Sequence, residues 1–106
     1  MDMAEVIHRL SKAFPKEELY GLTSQIRRTA VSVPSNIAEG QARQSTAEFK
    51  NFLSIAQGSL AEVETQLLLA IRFGYLTQPE ATPTLSLREE ISKMLSSLRS
   101  KLVTGH

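Results

Sequence analysis

The sequence predicts an all-α protein, an up-down antiparallel four-helix bundle. Four segments carry apolar residues at helical spacing, and none carries the strict alternation of a strand. The connections between the four are short, which makes successive helices antiparallel neighbours. The 106 residues suit one domain, and 42% apolar with 22% charged residues is a globular composition.

The first helix is expected over about residues 2 to 13, where Met3, Val6, Ile7, Leu10 and Phe14 recur on one face. Phe14-Pro15 ends it, because a residue before proline is pushed out of the helical region. "PKEELYG" then reads as a connector with one short turn.

The second helix is expected over about residues 22 to 41. Leu22, Ile26, Ala30, Val33 and Ile37 fall in one narrow stripe, with Gln25, Arg28, Thr29, Ser32, Ser35, Asn36 and Glu39 opposite. The stripe continues through Pro34. That favours one helix bent where the ring meets the carbonyl of Ala30, over two short helices meeting at Val33. Gly40 suits a helix end.

The third helix is expected over about residues 46 to 73, roughly 42 Å long at the standard rise. Ser45 and Glu48 make a capping-box pattern at its start. Phe49, Phe52, Leu53, Ala56, Leu60, Val63, Leu67, Ala70 and Ile71 share one face, and Gly74 suits a left-handed cap. The fourth is expected over about residues 78 to 102, with Leu87, Ile91, Met94, Leu95, Leu98 and Leu102 on one face. Thr77 and Glu80 offer a second capping box, while Pro83 leaves the start of regular helix open between Gln78 and Thr84. The closing Thr104-Gly105-His106 is expected to fray. The predicted core is Ile26, Val33, Ile37, Phe49, Phe52, Leu53, Leu60, Val63, Leu67, Leu95 and Leu98.

Catalytic chemistry finds little footing. No cysteine is present, and His8 and His106 have no partners at ligand spacing, so neither a metal nor another cofactor is expected. No Gly-rich loop suits a phosphate cradle, and no nucleophile signature occurs. Glu62 and Glu64 face different sides of one helix. Glu39 and Arg43, four apart, form an ordinary helix-end pair. The expectation is a protein that is not an enzyme. The N-terminal stretch carries acids and no apolar block, and "LLLAI" is far too short to span a bilayer. A cytoplasmic, non-membrane protein is therefore expected.

Two surface features point to association. Ile55, Leu69 and Phe73 lie off the core face of the third helix, sharing a side with Gly58, Ser59, Glu62 and Gln66. Val31, Pro34 and Ala38 form an apolar shoulder on the second, with Arg27 among them. Such edges invite an oligomer interface, with Gly58-Ser59 allowing close approach; the competing reading is a wide core stripe with some exposed apolar residues. Arg27, Arg28, Arg43 and Lys50 occur in a stretch opposed only by Glu39 and Glu48, and Lys93, Arg99 and Lys101 follow the last acid, Glu90. In a monomer these are solubilising charges. Around a symmetric oligomer they become a positive surface for phosphates. A net charge of +1 leaves no bulk attraction for nucleic acid, so only a local patch can serve. The few aromatics are mostly claimed by the core, so base reading is not expected.

"FPKEELYGLTSQIRRTAVSVPSNIAEGQAR", followed by "EFKNFLSIAQGSLAEVETQL", resembles the four-helix-bundle family encoded in 23S rRNA intervening sequences. The shared motifs are the Phe14 to Leu22 connector, Gln25 to Arg28, Asn36 to Gly40, and Gly58 to Glu62. The chain departs at Thr77 to Ser86, which is richer in proline. The resemblance implies a barrel-shaped homopentamer. It also implies kinship with the accessory variability proteins of diversity-generating retroelements, which bind RNA or DNA and a reverse transcriptase. The expected function is thus a non-catalytic pentameric scaffold for nucleic acid or a protein that processes it. The alternative is a structural module with no nucleic-acid role.

Overall fold

A computed structural model describes residues 2–102; His106 and the expected fraying of the chain end lie outside the described residues. Four α-helices make the fold, and no strand occurs among the described residues: α1 Met3–Leu10, α2 Leu22–Gln41, α3 Thr46–Arg72 and α4 Gln78–Lys101. They form a four-helix bundle of 50 × 25 × 21 Å. α3 packs against α2 on one side and α4 on the other, and α1 bridges α2 and α4.

α1 is the short member. Asp2 caps it by accepting from the Ala4 amide at 3.0 Å. The helix ends at Leu10 and tightens into a 3₁₀ turn, Ser11–Ala13, where the sequence pattern had suggested continuous α-helix. The turn leads into extended backbone at Phe14 and Pro15. Eight residues give about 12 Å of helix, against about 40 Å for α3's 27. One end of the bundle therefore holds four helices and the other only three.

That asymmetry corrects the predicted core. Ile26, Val33, Leu53, Leu60, Val63, Leu67 and Leu95 are buried. Ile37, Phe49 and Phe52 are only half-buried, and Leu98 is exposed, because they lie beyond the reach of α1. Met3, Ile7, Phe14, Leu76 and Ala81 complete the core at the four-helix end.

α2 runs through Pro34 without interruption. Its first-turn cap is unusual. Gly21 carries no side-chain cap, and the Glu18 carboxylate reaches forward to accept from the Leu22 amide at 3.1 Å. A β-carbon on Gly21 would lie 2.6 Å from that carboxylate oxygen, so a larger residue there would displace the Glu18 side chain from this position. The other Glu18 oxygen accepts from the Tyr75 hydroxyl at 2.7 Å, and Tyr75 packs on Phe14 at 5.6 Å between ring centroids. This clasp joins the α1–α2 connector to the α3–α4 turn, where Gly74 takes a left-handed conformation at φ 80°.

Gly40 lies inside the last turn of α2, not past its end. Its role is close approach: an added β-carbon would fall 2.7 Å from Phe52 Cβ and 2.9 Å from Phe49 Cδ1. Upstream, α2 and α3 share a polar seam. The Ser32 and Ser59 hydroxyls lie 2.6 Å apart, and Gln66 donates to Thr29 Oγ1 at 3.2 Å. Ser59 therefore serves the contact within the protomer and is not available to a neighbouring helix, as the sequence pattern had suggested.

At the start of α3, Ser45 Oγ accepts from the Glu48 amide, but the Glu48 carboxylate returns to the Ser45 hydroxyl and not to its backbone. α4 shows the full reciprocal box: Thr77 Oγ1 accepts from the Glu80 amide, and Glu80 accepts from the Thr77 amide. That anchor starts the helix at Gln78, and Pro83 is carried inside it.

Two outcomes test these contacts. Gly40→Ala should destabilise the protomer by about 1–3 kcal/mol through overpacking against the two phenylalanines, measured by chemical denaturation. A neutral or stabilising effect would show that α2 and α3 can part freely. For the clasp, the Leu22 amide and then the Tyr75 hydroxyl hold the Glu18 carboxyl below its ordinary range. Its contribution is present above the unfolded pKa and is lost as pH falls through the lowered folded value. The melting-temperature gap between the unmodified protein and Glu18→Gln should therefore close on acidification below about pH 4. A gap that stayed constant there would rule out the ionic clasp.

Candidate nucleic-acid interface

The four sequence-predicted basic residues do not converge. Arg28 lies about 20 Å of helical rise from the end of α2 at Gln41, and Arg43 follows in the turn beyond it. Arg27 is half-buried and internally engaged: Nε donates to Ser11 Oγ at 2.7 Å and Nη2 to the His8 carbonyl at 3.3 Å. It ties α2 to the end of α1. Arg28 is exposed and donates to Ser24 Oγ one turn back. Arg43 pairs with Glu39 at 2.6 Å, approaches Glu48 at 4.0 Å and covers the Phe52 ring at 5.1 Å from its centroid. Its charge is largely answered at the α2–α3 turn.

Lys50 has different surroundings. It lies on the side of α3 that faces α4, over a groove of about 350 Å³ lined by Lys50, Ser54, Gln57, Ser96, Arg99 and Ser100. The antiparallel register of α3 and α4 brings the first turns of one to the last turns of the other. Gln57 spans the floor: Nε2 donates to the Ser92 carbonyl at 2.8 Å and to Ser96 Oγ at 2.9 Å, and its Oε1 accepts from Ser92 at 2.9 Å. Since Ser96 accepts from Gln57, its own proton remains for an acceptor outside the protein. Two cations and the Ser96 hydroxyl thus line one open groove with Ser54 and Ser100, which donate to the Lys50 and Ser97 carbonyls, and no carboxylate lines it. That inventory matches phosphate oxygens. It offers no planar set of donors and acceptors of the kind that reads base edges.

Arg99 and the serines were not picked out as site residues from the sequence. Ser92, Ser96 and Ser100 recur every four residues, a one-face stripe that was legible. Their pairing with Lys50 was not, since it depends on helix register.

The predicted interface residues are largely at the surface. Val31 (53% exposed), Ile55 (44%) and Phe73 (55%) protrude, Pro34 and Ala38 are exposed, and Leu69 is half-buried. Phe73 also packs on Tyr75 at 5.7 Å between centroids. Leu68, 46% exposed, joins Leu69 in a shallow apolar depression with Thr65, Ile71 and Arg72, a feature the sequence pattern did not single out. Gly58 faces outward, with open space where a β-carbon would be. Tyr20, at 94% exposure, and Phe73 are the two aromatics left at the surface, while Phe14, Phe49, Phe52 and Tyr75 are buried or half-buried.

Among the described residues no cluster of His, Cys, Asp or Glu could hold a metal ion, and no helix is long and apolar enough to cross a membrane. The groups with displaced pKa values have structural causes. Tyr75 is raised by its hydrogen bond to Glu18, and Glu80 is lowered by its bond from the Thr77 amide.

Similarity to known proteins agrees with this architecture. A crystallised protein of unknown function from the S23 ribosomal protein family of Bacteroides thetaiotaomicron VPI-5482 superposes with a TM-score of 0.83 and 33% sequence identity, over 92% of this chain and 91% of that one. No curated protein matches. Residues 1–97 match the family described as 23S rRNA-intervening sequence protein, and the chain belongs to that family.

Proposed function

We propose that the protein is a non-catalytic, homopentameric scaffold that binds nucleic acid through its phosphate backbone. The α3–α4 groove carries this reading: Lys50 and Arg99 face one opening with serine hydroxyls and no lining carboxylate. The pentamer comes from the family resemblance. It is supported by the exposed apolar residues Val31, Pro34 and Ala38 on α2 and Ile55 and Phe73 on α3, each of which gains by leaving water. Closed symmetry would repeat the groove five times, so that a chain of formal charge +1 presents several cationic sites to one polyanion. A reverse transcriptase-like protein is a further partner of such an assembly, by the same resemblance.

Binding should be nearly independent of sequence and steeply dependent on salt. Lys50→Ala with Arg99→Ala should weaken RNA or DNA binding and reduce the salt slope by about two, measured by fluorescence anisotropy across salt concentrations. If the unmodified oligomer binds neither RNA nor DNA at low salt, the purely structural role replaces this one.

Assembly has its own test. Ile55→Glu should shift light scattering from oligomer to monomer while helicity is retained, because a charge would be buried without a partner. Gly58→Ala should raise protomer stability by about 0.5–1 kcal/mol if α3 stays in water there. If a neighbouring helix packs on Gly58, the same change should loosen the oligomer instead. A protein that is monomeric without any substitution would end the pentamer proposal.

A further inference from the structure

A second cavity lies at the opposite end of the bundle from the groove. It is an open pocket of about 240 Å³ lined by Ser11, Lys12, Phe14, Pro15, Lys16, Leu19, Thr23 and Arg27. Three of these are cations, and none has a carboxylate within ion-pair distance among the described residues. Glu18, the nearest acid in the chain to Lys16 after Glu17, is held by the Leu22 amide and Tyr75, and neither glutamate lines the cavity. The remaining wall is apolar: Phe14, Pro15 and Leu19.

Arg27 is oriented in advance. Ser11 Oγ and the His8 carbonyl take two of its five N–H donors, and Ser11 is itself fixed by donating to the His8 carbonyl at 3.1 Å. The guanidinium cannot swing away, yet Nη1 keeps both of its donors. Thr23, only 5% exposed, adds a hydroxyl to the same wall. Lys12 and Lys16, both exposed, flank the opening on either side of Phe14-Pro15.

We propose that this cavity binds a terminal phosphate monoester. A fixed guanidinium, two ammonium groups and the Thr23 hydroxyl without a counter-carboxylate suit a dianion better than a singly charged carboxylate. The volume falls below the usual range of about 300–1,000 Å³ for whole small-molecule ligands, so the cavity takes the phosphate and the first part of its ester. The apolar wall meets that attached carbon skeleton. Two sources present this chemistry: a free phosphorylated small molecule, or the phosphorylated end of a nucleic-acid strand. The site is separate from the groove and stands whether or not the groove binds a backbone.

The test is amide-resolved NMR titration of the intact protein with inorganic phosphate, AMP and adenosine. Phosphate and AMP should perturb residues 11–16 and 23–27 saturably, and adenosine should not. Lys12→Ala with Lys16→Ala, two exposed positions outside the core, should weaken AMP at least tenfold. Thr23→Val should weaken it less. Lys50→Ala with Arg99→Ala should leave the AMP response of residues 11–16 and 23–27 unchanged, which separates this site from the groove. Competition of AMP by a 5′-phosphorylated oligonucleotide, but not by its 5′-hydroxyl form, assigns the strand end; absence of competition by either assigns the small molecule. Failure of AMP to give a saturable response at these residues overturns the proposal, as does unchanged affinity in the Lys12, Lys16 double variant.

Discussion

The close approach of α2 and α3 is the constraint on which the rest of the structure depends. It needs small residues at the contact: Gly40 against Phe49 and Phe52, and Ala30 and Ala56 fully buried along the shared face. It also needs the polar side of α2 to be answered, which the Ser32–Ser59 and Thr29–Gln66 bonds do. A polar seam within a helix pair fixes register, because sliding by one turn would strand each hydroxyl without its partner. α4 and α1 then pack on a pair whose geometry is already set. Gln57 performs the corresponding job for α4, holding Ser92 and Ser96 at one register against α3. The groove is a by-product of that register.

The short first helix gives the bundle two unlike ends. At the four-helix end, the Glu18–Tyr75 clasp and the Phe14–Tyr75 pair close the core, and Arg27 binds the end of α1 to α2. At the three-helix end, Phe49, Phe52 and Ile37 are only partly covered, and Arg43 lies over one ring as a partial lid. A guanidinium on an aromatic face shields apolar area while its charge stays in water. Association through the apolar faces of α2 and α3 would cover further surface without altering the protomer.

Much of the fold was legible because each helix announced itself locally. Thr77 and Glu80 marked the start of α4 despite two nearby prolines, and the stripe from Leu22 to Ile37 carried α2 through Pro34. Gly40 was legible as special but was given the wrong reason, since close packing and a helix stop leave the same residue in a sequence. Leu98 has the right spacing for the core and is 37% exposed, because periodicity reports a helix face and not the length of the element opposite. The candidate site was legible only in part. Glu39 and Arg43 were paired correctly by their four-residue spacing. The Arg27–Ser11 bond crosses 16 positions, and the Lys50–Arg99 groove depends on how two helices align, so local spacing could reveal neither.

Near-neutral net charge and a phosphate-binding role are compatible for a reason visible in the pairing. Six of the eleven acids are engaged where structure needs them: Glu18 at the start of α2, Glu80 at the start of α4, Glu39 and Glu48 around Arg43, and Glu64 and Glu89 around Arg88. Each caps a helix or answers an arginine close to it. Lys12, Lys16, Lys50 and Arg99 have no such partner among the described residues and line two separate openings. A balanced total thus conceals local imbalance, since opposite charges separated by more than a Debye length of about 8–10 Å are largely screened from one another. A phosphate in the groove would meet Lys50 and Arg99 directly, with no carboxylate in the lining. For the proposed polyanion partner, what would matter is how many such openings the proposed assembly presents together, since symmetry would multiply openings without changing any single protomer's charge.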